Sequence, residues 1–221
     1  MSATFIVADD HPLFREALIH AIRNSVTDAS IVEADSLESL QTALGQHPDA
    51  DLLLLDLNMP GVSGFSALAY VRSHYDTLPT VIVSAADDPR VVRRAMQHGA
   101  SGFISKSSPI ATIEEGIRSV MNGELCVPQN ADLDSSDVDP EEQAAAAAVR
   151  TLTPHQFRVL MMLSEGLLNK QIAYELSVSE ATIKAHITAV FRKLDVSNRT
   201  QAVLVVQRLS VSDPAALARE V

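Results

Sequence analysis

The chain has 221 residues, 47% of them apolar, which suits one or two domains with real cores. No apolar run approaches the ~18–20 residues of a membrane span, and the first residues lack the basic and long apolar parts of a signal peptide. With a single cysteine, Cys126, unable to form an internal disulfide, these features predict a cytoplasmic protein with no membrane partner.

The net charge of −11, taken whole, argues against nucleic acid, but its distribution does not. Residues 1–122 hold 8 Lys+Arg against 15 Asp+Glu, and residues 123–150 hold 1 against 7. Residues 151–210 reverse the balance, with 7 against 4. An acidic body, an acidic connector and a basic carboxyl-terminal unit are the asymmetry expected of a regulated nucleic-acid binder.

Along residues 1–122, short Val-, Ile- and Leu-rich runs alternate with helical stretches. Strands are expected at Thr4–Ala8, Ser30–Ala34, Leu52–Asp56, Thr80–Ser84 and Gly102–Ser105. Helices are expected near residues 12–24, 36–45, 64–74, 88–98 and 108–122. Pro12 suits a first helical position, Asp35 with Glu38 reads as a capping-box analogue, and Ser108-Pro109 reads as a cap followed by proline. Five βα units imply an α/β fold, a doubly wound parallel sheet with right-handed crossovers. The unalternating run Leu52–Leu55 suits a strand covered on both faces.

Residues 123–150 form an acidic and Ala-rich linker in this reading. The run from Asp132 to Pro140 has too little apolar surface to order itself. The alanines from Ala144 favour a short helix with little area to dock.

Residues 151–221 form an all-α unit. Thr153-Pro154 caps a helix to about Glu165, and Asn169 caps a second to about Leu176. Ser177-Val178-Ser179 turns into a third, Glu180–Leu194, and Asn198 caps a fourth to about Arg208. Two helices joined by a short turn make a helix-turn-helix.

The chemistry-bearing residues of the first unit all follow strand signals. Asp9-Asp10, Asp56, Ser84 and Lys106 would emerge at the carboxyl edge of the sheet, where open α/β sheets build their sites. Carboxylates, a hydroxyl and an ammonium in one crevice suggest a divalent metal and a phosphoryl group. Mg²⁺ takes oxygen ligands in octahedral geometry and accepts one or two carboxylates. Asp10 and Asp56 could ligate directly, Asp9 through water, and Asn58 through its backbone carbonyl. Asp56 would be the nucleophile, with Lys106 and Ser84 on the phosphoryl oxygens. His11 reads as a loop residue rather than a ligand.

These residues resemble, in order and spacing, the receiver domain of bacterial two-component systems. The match includes Asp9-Asp10, Asp56-Leu57-Asn58-Met59-Pro60-Gly61, Ser84-Ala85, Phe103 and Lys106-Ser107. The resemblance implies that Asp56 accepts phosphate from a sensor histidine kinase, and that Ser84 and Phe103 form a switch pair whose ring rotates inward.

In the basic unit, Ile183, Ile187, Val190, Phe191 and Leu194 recur at helical spacing as a buried stripe. Lys184, Ala185, Thr188 and Arg192 then point outward, where Lys184 could reach guanine and Ala185 a thymine methyl. Lys170, Thr182, His186, Lys193 and Arg199 could meet phosphates. Val203, Leu204, Val205 and Val206 carry more apolar surface than one core face needs, which suggests a dimer contact.

This segment is similar to the LuxR-type DNA-binding domain of the NarL/FixJ proteins. The similarity rests on Leu152-Thr153-Pro154, Glu165-Gly166, Asn169-Lys170-Gln171-Ile172-Ala173 and Leu176 through Ile187, with Arg192-Lys193-Leu194 and Arg199 through Val203 beyond. His155-Gln156 departs from the usual Arg-Glu pair, so a local ion pair should be missing.

Together the two resemblances imply a response regulator, not an enzyme. Phosphorylation at Asp56 would promote homodimerisation and binding to double-stranded promoter DNA, with RNA polymerase as a further partner. The acidic receiver or linker is expected to cover the recognition helix in the resting form. Moving such a switch from 1:99 to 99:1 needs about 5.5 kcal/mol. A haloacid-dehalogenase-type enzyme fits less well, because it needs a second Asp where Asn58 stands. A phosphate-independent DNA binder is the remaining alternative.

Overall fold

The structure is a computed structural model, and it describes residues 3–128, 131 and 139–211. Within the acidic connector, residues 129–130 and 132–138 lie outside the described residues, as does the tail from residue 212. The chain divides into two compact units, Met1–Pro60 with Tyr75–Ser136, and Gly61–His74 with Asp137–Val221.

The first unit carries a five-stranded parallel sheet in the order β2-β1-β3-β4-β5. The strands are β1 (Thr4–Ala8), β2 (Ser30–Ala34), β3 (Leu52–Asp56), β4 (Thr80–Ser84) and β5 (Gly102–Ser105). Their bounds coincide with those read from the sequence, because each is an apolar run interrupted at both ends. Four helices belong to this unit: α1 (Pro12–Ser25), α2 (Leu37–Gln46), α4 (Pro89–Gln97) and α5 (Ile110–Met121). One core joins Phe5 and Val7 of β1, Leu52 and Leu54 of β3, and Val81 and Val83 of β4 to Leu18, Ile22, Ile113 and Ile117 of α1 and α5. Ile6, Leu53, Leu55 and Ile82 are also fully buried. Both faces of the central strands are therefore covered, as the lack of alternation required.

Two helix starts differ from expectation. The box opening α2 is built by Ser36 and Ser39, with Asp35 Oδ1 accepting from the Ser39 hydroxyl at 3.0 Å. Serine serves because its short hydroxyl reaches back without a long side chain's entropy cost. Helix α5 starts at Ile110 with Pro109 in the capping position and no side-chain cap, one residue later than the Ser108-Pro109 signal implied.

The second unit contains α3 (Ser66–His74) and five helices from later in the chain: α6 (Pro140–Arg150), α7 (Pro154–Ser164), α8 (Asn169–Glu175), α9 (Glu180–Lys193) and α10 (Arg199–Arg208). Helix α3 lies within the segment read as receiver, yet its packing groups it with the later helices. Tyr70 of α3 stacks on Phe157 of α7 at 4.8 Å between ring centroids and a 9° interplanar angle, and the Phe65 amide donates to the Leu209 carbonyl at 2.8 Å.

Helix α6 is likewise more than an extension of the linker. Asp139 caps it, and Ala145, Ala146 and Val149 are buried. Alanines bury little area each but allow helices to approach closely, which the sequence reading undervalued. The Arg208 guanidinium closes on Glu141 at 2.8 Å.

The helix-turn-helix core comprises Val159, Leu163, Ile172, Ala173 and Ile183. Thr153 and Gln156 form a full capping box at α7, and Asn198 caps α10 through the Gln201 amide. Asn169 is the first residue of α8 instead of its cap; the Gln171 side chain accepts from the Leu168 amide at 2.7 Å. The turn before α9 places Ser177 at φ +52°, and Ser179 caps α9.

Candidate functional site

The sheet order puts the ends of β1, β3, β4 and β5 side by side. Asp9 follows β1, Asp56 and Ser84 end β3 and β4, and Lys106 follows β5. Asp9, Asp56 and Ser84 are essentially inaccessible, at 0%, 2% and 0% exposure. The Lys106 ammonium sits 2.7 Å from Asp9 Oδ2 and 2.9 Å from Asp56 Oδ2, hydrogen-bonding the latter. Toward Asp9 Oδ2 the same ammonium makes a close charge contact. The Phe14 ring lies 5.1 Å from the same ammonium.

Burial raises the Asp56 pKa, and the hydrogen bond and charge of Lys106 offset this only in part. For Lys106, burial disfavours the charge, but Asp9 and Asp56 outweigh it and the pKa rises. The ammonium therefore stays charged and holds two carboxylates that repel each other. Asp56 Oδ1 is left outside this ion pair.

Asp9, Asp10, His11 and Asp56 each offer a ligand atom, all within 4.8 Å of one another. Asp10 Oδ1 is buried without a hydrogen bond among the described residues, although the His11 ring lies beside it. A carboxylate-rich set with an unsatisfied buried oxygen suits a hard divalent cation. His11, read as a loop residue, is thus part of the cluster. At Asn58 the backbone amide bonds the Asp56 carboxylate, and the side chain is exposed.

The Ser84 hydroxyl accepts from the Ala86 amide at 3.2 Å, while the Ser84 carbonyl accepts from the Lys106 amide at 2.8 Å. Phe103 is 1% exposed. Sequence reasoning missed one partner in this region: Asp87 Oδ2 accepts from the hydroxyls of Ser105 at 2.8 Å and Ser107 at 3.3 Å.

On α9, Thr182, Lys184, Ala185, Thr188 and Arg192 are exposed, while Ile183 and Val190 are buried, the amphipathic division the spacing required. Lys170 on α8 is exposed too. His186 is half-buried and stacks near His155 at 6.3 Å. Two residues assigned to phosphate are turned inward instead. Lys193 donates to the Thr151 carbonyl at 2.7 Å and to Gln156 Oε1 at 2.8 Å. Arg199 donates to the carbonyls of Leu163 at 2.9 Å and Leu167 at 2.7 Å. Both brace the domain with part of their donor set. Gln156, where the resemblance leads one to expect Glu, replaces an ion pair with a neutral acceptor.

A profile for the response regulator receiver domain matches residues 5–118, and one for bacterial regulatory proteins of the luxR family matches residues 150–206. The chain is 42% identical over 204 residues to the glycerol metabolism activator of Pseudomonas putida, covering 90% of this chain and 92% of that one. It is 33% identical over 208 residues to the probable transcriptional regulatory protein NarL of Mycobacterium tuberculosis, covering 94% and 95%. In fold it resembles RcsB from Salmonella enterica serovar Typhimurium bound to a promoter with a phosphomimetic, at TM-score 0.56 and 22% identity over 95% of this chain and 100% of that one. A receiver pocket joined to a helix-turn-helix defines a response regulator transcription factor. The chain belongs to the NarL-type two-component response regulators with a LuxR-type DNA-binding domain. Its relatives are transcriptional regulators rather than enzymes. No helix among the described residues is long and apolar enough to cross a membrane.

Proposed function

We propose that Asp56 is the phosphoacceptor and that its phosphorylation controls promoter binding by the α9 face. The carrying observation is the buried Asp56 carboxylate with Lys106 2.9 Å from Oδ2, which leaves Oδ1 to attack. Asp56 Oδ1 would bond to phosphorus as the P–N bond of a kinase phosphohistidine breaks, the imidazole nitrogen keeping the electron pair and taking a proton. Asp9, Asp10 and Asp56, with Asn58 beside them, would hold Mg²⁺. When bound, it would neutralise charge on the phosphoryl oxygens. Lys106 and the Ser84 hydroxyl would receive those oxygens afterwards.

Lys184 and Ala185 on α9 would read base edges in the major groove. Thr182, Thr188, Arg192, Lys170 and His186 would set position on the backbone, with Lys193 and Arg199 contributing only the donors left over from bracing. The unit's charge is modest, so two copies on half-sites about one helical turn apart would be needed for tight binding. Cytoplasmic location and contact with RNA polymerase belong to the same reading.

The test is acyl-phosphate treatment with Mg²⁺ of wild type and Asp56→Asn, read by intact mass and DNA binding. One phosphoryl adduct, absent from the variant, with dimerisation and tighter DNA binding, is expected. An adduct with unchanged DNA affinity would overturn the regulatory part of this reading and leave constitutive DNA binding.

A further inference from the structure

His11 occupies the capping position of α1 with extended backbone at φ −88° and ψ 106°, yet its side chain makes no cap hydrogen bond. Pro12 at the first helical position leaves one fewer amide to cap. The ring turns to the acid pair instead. Its Nδ1 stands 2.7 Å from Asp10 Oδ1 and 3.3 Å from Asp9 Oδ1, and the His11 amide donates to Asp9 Oδ1 at 2.8 Å, which pins the loop. The ring is 65% exposed and sits at the pocket mouth.

Those spacings fit a specific geometry. Around an octahedral cation with ligands at about 2.1 Å, neighbouring ligand atoms lie about 3.0 Å apart. Asp9 Oδ1 and Asp10 Oδ1, at 3.3 and 2.7 Å from His11 Nδ1, each stand about as far from it as neighbouring atoms of one such shell would. Asp10 Oδ1 is also the buried oxygen without an aligned hydrogen bond. Imidazole is a borderline ligand that favours later transition ions over Mg²⁺, whereas the carboxylates around it do not discriminate in that sense.

We propose that His11 is a nitrogen ligand of the receiver pocket and sets its metal preference, so that the site takes a borderline divalent ion such as Ni²⁺ more tightly than Mg²⁺. The proposal rests on the reading of the acid cluster as a metal site.

The experiment uses the metal-free full chain. Mg²⁺ and Ni²⁺ affinities are measured by calorimetry for wild type, His11→Ala and His11→Gln, and Mn²⁺-loaded samples are examined for nitrogen coupling by pulsed electron paramagnetic resonance. Glutamine keeps a hydrogen bond to Asp10 but offers no ring nitrogen. The expected result is a Ni²⁺ affinity lowered about tenfold or more in both variants, Mg²⁺ affinity little changed, and nitrogen coupling present only in wild type. Retained Ni²⁺ preference in both variants overturns the proposal and leaves the metal pocket standing. So does a parallel loss of Mg²⁺ and Ni²⁺ in His11→Ala that glutamine restores, because His11 then only orients Asp10. Failure of wild type to bind either ion overturns the pocket reading itself, and this inference with it.

Discussion

Asp56 is held where its own charge is costly. Its pKa is raised above 3.8, so between the unfolded and folded values the native chain binds more protons than the unfolded one. Stability then falls as pH rises through that window, and the cost is fully present above the folded value. Asp56→Asn should therefore raise the melting temperature of the metal-free protein at pH values above the Asp56 pKa. The gain should fade as the pH is lowered through the Asp56 pKa, which thermal denaturation in EDTA at several pH values would check. Lys106 has the opposite sign. Its raised pKa means a contribution present below the ordinary lysine value and lost only as pH climbs through the folded one. Lys106→Ala would leave Asp9 and Asp56 facing each other unpaired, and should cost about 3 kcal/mol in metal-free protein. Added Mg²⁺ should restore part of the loss in the same melts.

The elements show where sequence reasoning works and where it stops. All five strands were legible, because a parallel strand buried on both faces is a bare apolar run with polar ends. The pocket followed directly, since Asp56, Ser84 and Lys106 lie at or beside strand ends. The turn of the His11 ring toward Asp9 and Asp10 was not legible, because a residue at a helix start gives no local sign of which way its side chain points. Nor were the inward turns of Lys193 and Arg199, whose long stems reach backbone carbonyls 42 and 36 residues away in the chain. The surroundings of α3 are tertiary and leave no local trace. Gly64 marks them only in retrospect: it sits at φ +52°, and a Cβ there would collide with the Leu209 carbonyl. Gly64→Ala should destabilise this helical unit by more than the ~1 kcal/mol of left-handed strain alone, measurable as faster amide exchange in α10. On α9, Lys184→Ala should lower discrimination among operator sequences by about 1–3 kcal/mol. Lys170→Ala should weaken all sequences alike and reduce the salt slope by about one. Binding isotherms at several salt concentrations separate the two.

At the scale of the whole molecule, charge and packing divide the chain differently. Charge separates an acidic first half from a basic last third, whereas packing assigns α3 to the helices that follow Asp137. Ser66 and Tyr70 are buried at 0% and 1% exposure; the Ser66 hydroxyl lies 3.6 Å from Met161 Sδ, and Tyr70 stacks on Phe157. A fragment ending at residue 122 would keep every residue of the acidic pocket and lose all of those later partners. Such a chimera, with its receiver grafted onto a foreign output module, would inherit intact chemistry together with a sticky aromatic scar, and would have to hide it by self-association.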